Sequence, residues 1–144
     1  MSIRPRAVLD TSGVVSGIGW SGNEAQKVLW LLAKRRFISV RSPYLTREWA
    51  VTIERVAAEN PRSFRNINWA NWVEWLSRRS ELIEDPLLRP ITRDPKDDPI
   101  LATAIAGKAQ YLVSYDHDFL DLGQPYGIQC LTPRAFLHEL LARA

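Results

Sequence analysis

Six carboxylates in this chain are set apart by their neighbours. Asp10 closes the apolar run Ala7-Val8-Leu9, and Glu48 lies between Leu45 and Trp49. Asp97 and Asp98 are adjacent and precede Pro99, while Asp116 and Asp118 stand in Ser-Tyr-Asp-His-Asp-Phe. Gathering so many acids at one place is strongly repulsive without a cation. Ligands that are all oxygen suit Mg²⁺ or Mn²⁺, and no Cys/His spacing supports zinc. Each acid also has an ordinary use. Asp98 can cap a helix that opens on Pro99. Asp116 and Asp118 can form turns through their own backbone. Glu48 can be a solvated helix residue. Asp10 is hardest to assign so simply, because an acid ending a buried strand has no cheap solvation.

The elements that must position these acids alternate strand with helix. Residues 7–9 read as a buried strand, and a second strand spans 37–40. Between them, Asn23 and Gln26 resemble a capping box ahead of the stripe Val28, Leu29, Leu31 and Leu32. Ser42-Pro43 supplies a cap and a first-turn proline for a helix through about Val56. Asn60-Pro61 opens another helix carrying Ile67, Trp69, Trp72, Trp75 and Leu76. Residues 81–83 are a weak third strand, and 85–96, with three prolines, read as an extended loop. Asp98-Pro99 opens a helix through Ala106, strands follow at 111–114 and 128–131, and Thr132-Pro133 caps the last helix. This alternation predicts a three-layer α/β/α fold around a central parallel sheet of about five strands, in one domain over 1–144. Working residues then lie beyond the carboxyl ends of the strands, where Asp10 and Asp116 both fall.

Composition agrees with one globular domain. The 144 residues are 46% hydrophobic and 24% charged, which excludes disorder and a disulfide scaffold. A single Cys130 forms no intramolecular bridge, so a reducing cytoplasm is the expected location. No apolar run approaches the roughly 20 residues of a membrane span, and the N-terminus lacks the apolar stretch of a signal peptide. The net charge of +3 is unevenly divided. Residues 1–80 hold 13 Lys and Arg against 6 acids, whereas residues 81–144 hold 6 against 10. A basic surface beside an acidic cluster suits a polyanion held near a metal site.

The motifs in order resemble a known family. Val-Leu-Asp-Thr-Ser at 8–12, Thr-Arg-Glu-Trp at 46–49, Asp-Pro-Lys-Asp-Asp-Pro-Ile-Leu-Ala-Thr-Ala at 94–104 and Tyr-Leu-Val-Ser-Tyr-Asp-His-Asp-Phe-Leu at 111–120 look like a PIN domain. The nearest resemblance is to the VapC-like toxins of toxin–antitoxin pairs, whose closing strand and helix resemble residues 127–137. No single motif is specific, but their ordered combination covers nearly the whole chain. The resemblance implies a Mg²⁺- or Mn²⁺-dependent ribonuclease with its four acidic positions on Asp10, Glu48, Asp98 and Asp116. Asp10, Asp98 and Asp116 would bind metal, and Glu48 would hold a second metal or orient water. Asp97 and Asp118 match additional acids, and Ser114 matches the Ser or Thr before the fourth acid. Ser12 departs from the Asn of many members, which implies a tuned site. The resemblance further implies an RNA substrate and an antitoxin partner.

Other residues have competing uses. Arg41 and Arg47 flank Glu48 and could contact phosphate. Lys34-Arg35-Arg36 and Arg78-Arg79 end helices, where cations complement the dipole. His117 reads as an exposed turn residue, His138 as structural or exposed, and Cys130 as buried and inert. The tryptophan stripe reads first as core, with part of it a homodimer or antitoxin surface, and base stacking third. Three other functions fit less well. A PIN nuclease of RNA processing would lack an antitoxin gene beside its own. A non-catalytic RNA- or protein-binding PIN module would not need all four acids. A phosphoacceptor receiver domain wants paired acids near the first strand and a lysine after the last, and no lysine lies beyond Lys108.

Overall fold

The computed structural model describes residues 4–84 and 98–143, with Asp98 described in its backbone alone. Ala7 and Val8 are both fully enclosed although consecutive strand residues face opposite ways. The strand they form, β1 (Arg6–Leu9), is therefore covered on both faces. It lies at the centre of a five-stranded sheet with β2 (Ile38–Arg41), β3 (Ser80–Leu82), β4 (Tyr111–Val113) and β5 (Gln129–Leu131). The order is β3-β2-β1-β4-β5 and every pair is parallel. The expected α/β architecture with a five-stranded parallel sheet is borne out. Chain progression reverses between β1 and β4, which makes their carboxyl ends the switch point of the sheet.

The helices are α1 (Thr11–Gly19), α2 (Glu24–Ala33), α3 (Pro43–Glu59), α4 (Trp69–Arg78), α5 (Asp98–Ala106), α6 (His117–Leu120) and α7 (Pro133–Ala142). Three caps form as their residues suggest: Asn23 accepts from the Gln26 N–H, Ser42 from Leu45 and Thr132 from Ala135. The Gln26 side chain completes the first cap differently from a capping box. It accepts from the Gly22 N–H at 2.9 Å.

Two helices differ from expectation. The sequence gives no clear sign of α1, because three glycines and adjacent Val14-Val15 lower its propensity. It forms because Val14, Val15 and Ile18 all enter the core. Gly17 also lets α2 approach closely: a Cβ there would sit 2.8 Å from Leu29 and 2.9 Å from the Ala25 carbonyl. The helix expected from Asn60-Pro61 does not start there. Asn60 ends α3, residues 61–66 turn, and Asn68 caps α4 by accepting from the Asn71 N–H. The expected loop at 85–96 and Asp97 lie outside the described residues. Among the described residues, no helix is long and apolar enough to cross a membrane.

Candidate functional site

Parallel strands aim their carboxyl ends at one pole of the molecule. Asp10 follows β1 there, Ser42 follows β2, and Ser114 to Asp116 follow β4. The register puts Leu9 opposite Val113, so the residues just beyond them meet. Asp10 is 6% exposed, a burial few carboxylates tolerate without partners. Its Oδ2 accepts the Ser114 hydroxyl at 2.6 Å and the Ser12 hydroxyl at 3.4 Å. Ser114 also accepts the Asp116 N–H at 2.9 Å, and Ser12 accepts the Tyr115 N–H at 3.0 Å. The two serines thus tie the β4 loop to the end of β1 through the acid.

Burial pushes the Asp10 carboxyl above the ordinary range. Hydrogen bonds from Ser114, the Thr11 backbone and Ser12 oppose that rise, while the nearby Asp116 charge adds to it. No cation among the described residues bonds to this carboxylate. Asp116 combines two roles: its Oδ1 accepts the Asp118 N–H at 2.9 Å and caps α6, the local use foreseen for a turn residue. That bond occupies one oxygen. His117 is exposed on α6, as expected, with its Nδ1 3.8 Å from Asp121.

The remaining expected residues are distributed unevenly. Glu48 is half-buried on α3, next to Trp49, whose fully buried indole donates to the Leu9 carbonyl at 3.0 Å. That bond pins α3 against the end of β1. A second tie joins α5 to the pole. The Ser42 and Thr103 hydroxyls lie 2.7 Å apart, and Thr103 donates to the Pro99 carbonyl. Asp98 is the first residue of α5, but its side chain, like Asp97, is outside what the structure describes. Arg41 is half-buried and its guanidinium holds the fold, with Nε donating to the Ser77 carbonyl and Nη1 to Thr46. Arg47 is exposed. Sequence reasoning did not single out Trp49 and Thr103 as positioning residues. A tryptophan directly after Glu48, and a threonine mid-helix among apolar residues, were the available signals.

The donors at this pole fit a hard divalent ion by chemistry, since they are carboxylate and hydroxyl oxygens. The Thr11 hydroxyl, next in the chain to Asp10, is enclosed and lacks a hydrogen-bond partner. Among the described residues, no group of three His, Cys, Asp or Glu stands ready to hold a metal.

The tryptophan stripe lies elsewhere. Trp72 and Trp75 form a T-shaped pair and, with Trp30, line an open groove of about 830 Å³ between α2 and α4. None of the acids lines it. Cys130 is half-buried, and burial pushes its thiol up to about 11, so it is a poor nucleophile.

Residues 6–118 match the profile of the PIN domain. No curated protein sequence matches the chain. Several solved structures share the fold. PAE2754 from Pyrobaculum aerophilum superposes with a TM-score of 0.63 at 16% identity, covering 96% of this chain and 90% of that one. VapBC2 from Rickettsia felis, solved bound to a DNA fragment from their promoter, gives 0.58 at 17% identity. That match covers 88% of this chain and 98% of the other.

Proposed function

The chain belongs to the PIN domain family, and on that premise we propose that it is a Mg²⁺- or Mn²⁺-dependent endoribonuclease. We further propose that it is the toxin of a toxin–antitoxin pair, acting in the cytoplasm with residues 1–144 as one domain, and with a second copy or the antitoxin covering its tryptophan groove. The observation that carries the nuclease reading is Asp10. This buried carboxylate faces another acid, is steadied by hydroxyls, and has no cation bonded to it among the described residues. Once ionised, an arrangement of that kind costs stability unless a cation occupies it. Asp10, Asp98 and Asp116 are the proposed metal ligands, with Asp97 and Asp118 supporting them.

A bound divalent ion would lower the pKa of a water and stabilise charge on the scissile phosphate. The protein's own residues do the positioning. Ser114 and Ser12 fix the Asp10 carboxylate, Ser114 also holds the Asp116 backbone, and Glu48 accepts a proton from or orients the attacking water. Hydrolysis forms a bond from water oxygen to phosphorus and breaks the bond to the leaving oxygen, which takes up a proton. Arg47, exposed beside Glu48, is the better candidate of the two arginines for contacting backbone phosphate, since Arg41 is engaged in packing.

The test is cleavage of RNA by purified protein with Mg²⁺ or Mn²⁺. Cutting that EDTA abolishes, and that Asp10→Asn and Asp98→Asn each remove without unfolding the protein, is the expected result. Full activity in both variants sinks the reading. A neighbouring gene for a small DNA-binding protein with an unstructured tail supports the toxin assignment over an RNA-processing nuclease.

A further inference from the structure

The pole opposite the acids carries a cleft that the proposed reaction does not use. It lies at the amino ends of β1, β2 and β3, has a volume of about 270 Å³, and is lined by Arg4, Arg35, Arg78 and Arg79. Among its described lining residues the one acid is Glu81, and Arg6 already holds that carboxylate with two bonds of 2.8 and 3.2 Å. Glu74 pairs with Arg78 from the previous turn of α4. Cations therefore remain in excess.

Two details concern how these arginines are held. Arg79 Nη1 is enclosed and has no hydrogen-bond partner, although its guanidinium also stands over the Trp75 ring at 5.9 Å. An enclosed donor with nothing to bond is uncommon and costly. Arg35 has φ of 58°, a left-handed conformation that favours glycine. The backbone there is a complete Schellman turn, with Arg36 N–H donating to Leu31 and Arg35 N–H to Leu32. The chain thus carries a guanidinium where the backbone would prefer no side chain.

We propose that this cleft binds a phosphate group, with the planar forks of Arg35 and Arg79 as its principal donors. Its volume is below that of a typical drug-sized pocket and suits a phosphate with part of its ester. The competing explanation is that these cations only complement the carboxyl ends of α2 and α4. It accounts for the charges but not for the cleft or for a side chain kept at the left-handed Arg35 position. The phosphate can belong to an RNA strand or be free in solution. The inference stands apart from the nuclease reading, because it concerns binding and not cleavage.

The experiment measures binding in EDTA, in an Asp10→Asn background, so that turnover plays no part. A labelled single-stranded RNA and inorganic phosphate are the two probes. Arg35→Gly is the decisive variant, since it removes the guanidinium and relieves the backbone, leaving the melting temperature equal or higher. The expected result is an RNA affinity about threefold weaker, and a slope of log affinity against log salt smaller by about one. Arg79→Gln should act the same way. Loss of inorganic phosphate binding with RNA binding unchanged supports the site and assigns it to free phosphate. Unchanged binding of both probes in folded Arg35→Gly and Arg79→Gln overturns it.

Discussion

Asp10 and Glu81 are carboxylates at opposite ends of one sheet, and they are held in opposite ways. Glu81 is about half exposed and lies against the Arg6 guanidinium, which holds its carboxyl below the ordinary range. Asp10 is buried among hydroxyls beside another acid, and burial holds it above that range. One negative charge is neutralised by the protein; the other has no counter-charge bonded to it among the described residues. At the amino pole the imbalance is reversed, with more guanidinium than carboxylate. Among the described residues, the two poles differ in the sign of the charge left in excess.

Replacing Asp10 by Asn breaks the comparison most severely. Metal assistance contributes several kcal/mol to such hydrolysis, so RNA cleavage should fall on the order of 10³-fold or more. Circular dichroism and melting temperature should be preserved or improved, because a neutral amide replaces a buried charge. Ser114→Ala comes next, removing the 2.6 Å bond to Asp10 and the acceptor of the Asp116 N–H. Loss of such a supporting partner costs about 10- to 100-fold in metal affinity or activity, which metal titration followed by cleavage assay would measure. Trp49→Phe keeps an aromatic side chain but removes the indole N–H that the Leu9 carbonyl accepts, along with part of the buried bulk. The expected cost is about 1–3 kcal/mol in denaturant unfolding, with reduced activity because α3 loses its tie to the end of β1.

The smallest effects test the poles by pH. With its carboxyl raised, folded Asp10 holds a proton more tightly than the unfolded chain does. In EDTA its contribution therefore favours folding at acid pH and is lost as pH rises from the ordinary carboxylate value through the raised one. Asp10→Asn should flatten that slope in unfolding curves. Glu81 has the opposite sign: its lowered carboxyl stabilises the fold above the ordinary value, and that stability is lost as pH falls. Because the pair is solvent-screened, Glu81→Gln should cost no more than about 1 kcal/mol at neutral pH. Equal pH dependence in the two variants would contradict the contrast drawn between the ends.

Much of the fold was legible in local chemistry. The apolar runs at 7–9 and 111–113 became central strands, and Ser42-Pro43 and Thr132-Pro133 became helix starts. The failures were also physical. Helix α1 exists against its own propensity because the core recruits it, and the Asn60-Pro61 start lost to a turn that lets Asn68 cap α4. Within the site, Asp10 and Asp116 could be picked out singly, as acids beyond strand ends. Arg41, chosen for standing near Glu48, proved to be bonded into the fold, because sequence neighbours on strand and helix do not share a direction.

The sequence by itself determined the strand–helix alternation, the caps and the presence of acids at strand ends, since these depend on residues within a turn or two of each other. Only the tertiary structure joined Asp10 to Ser114 across 104 residues, because that contact follows from the parallel register of β1 with β4, which no local signal encodes. The same holds for charge. Along the chain the cations crowd the first 80 residues; in space, Arg4, Arg35, Arg78 and Arg79 line one cleft at the amino pole, and Asp10 and Asp116 meet at the carboxyl pole. Parallel strands sort residues by which strand end they adjoin and not by their position in the chain.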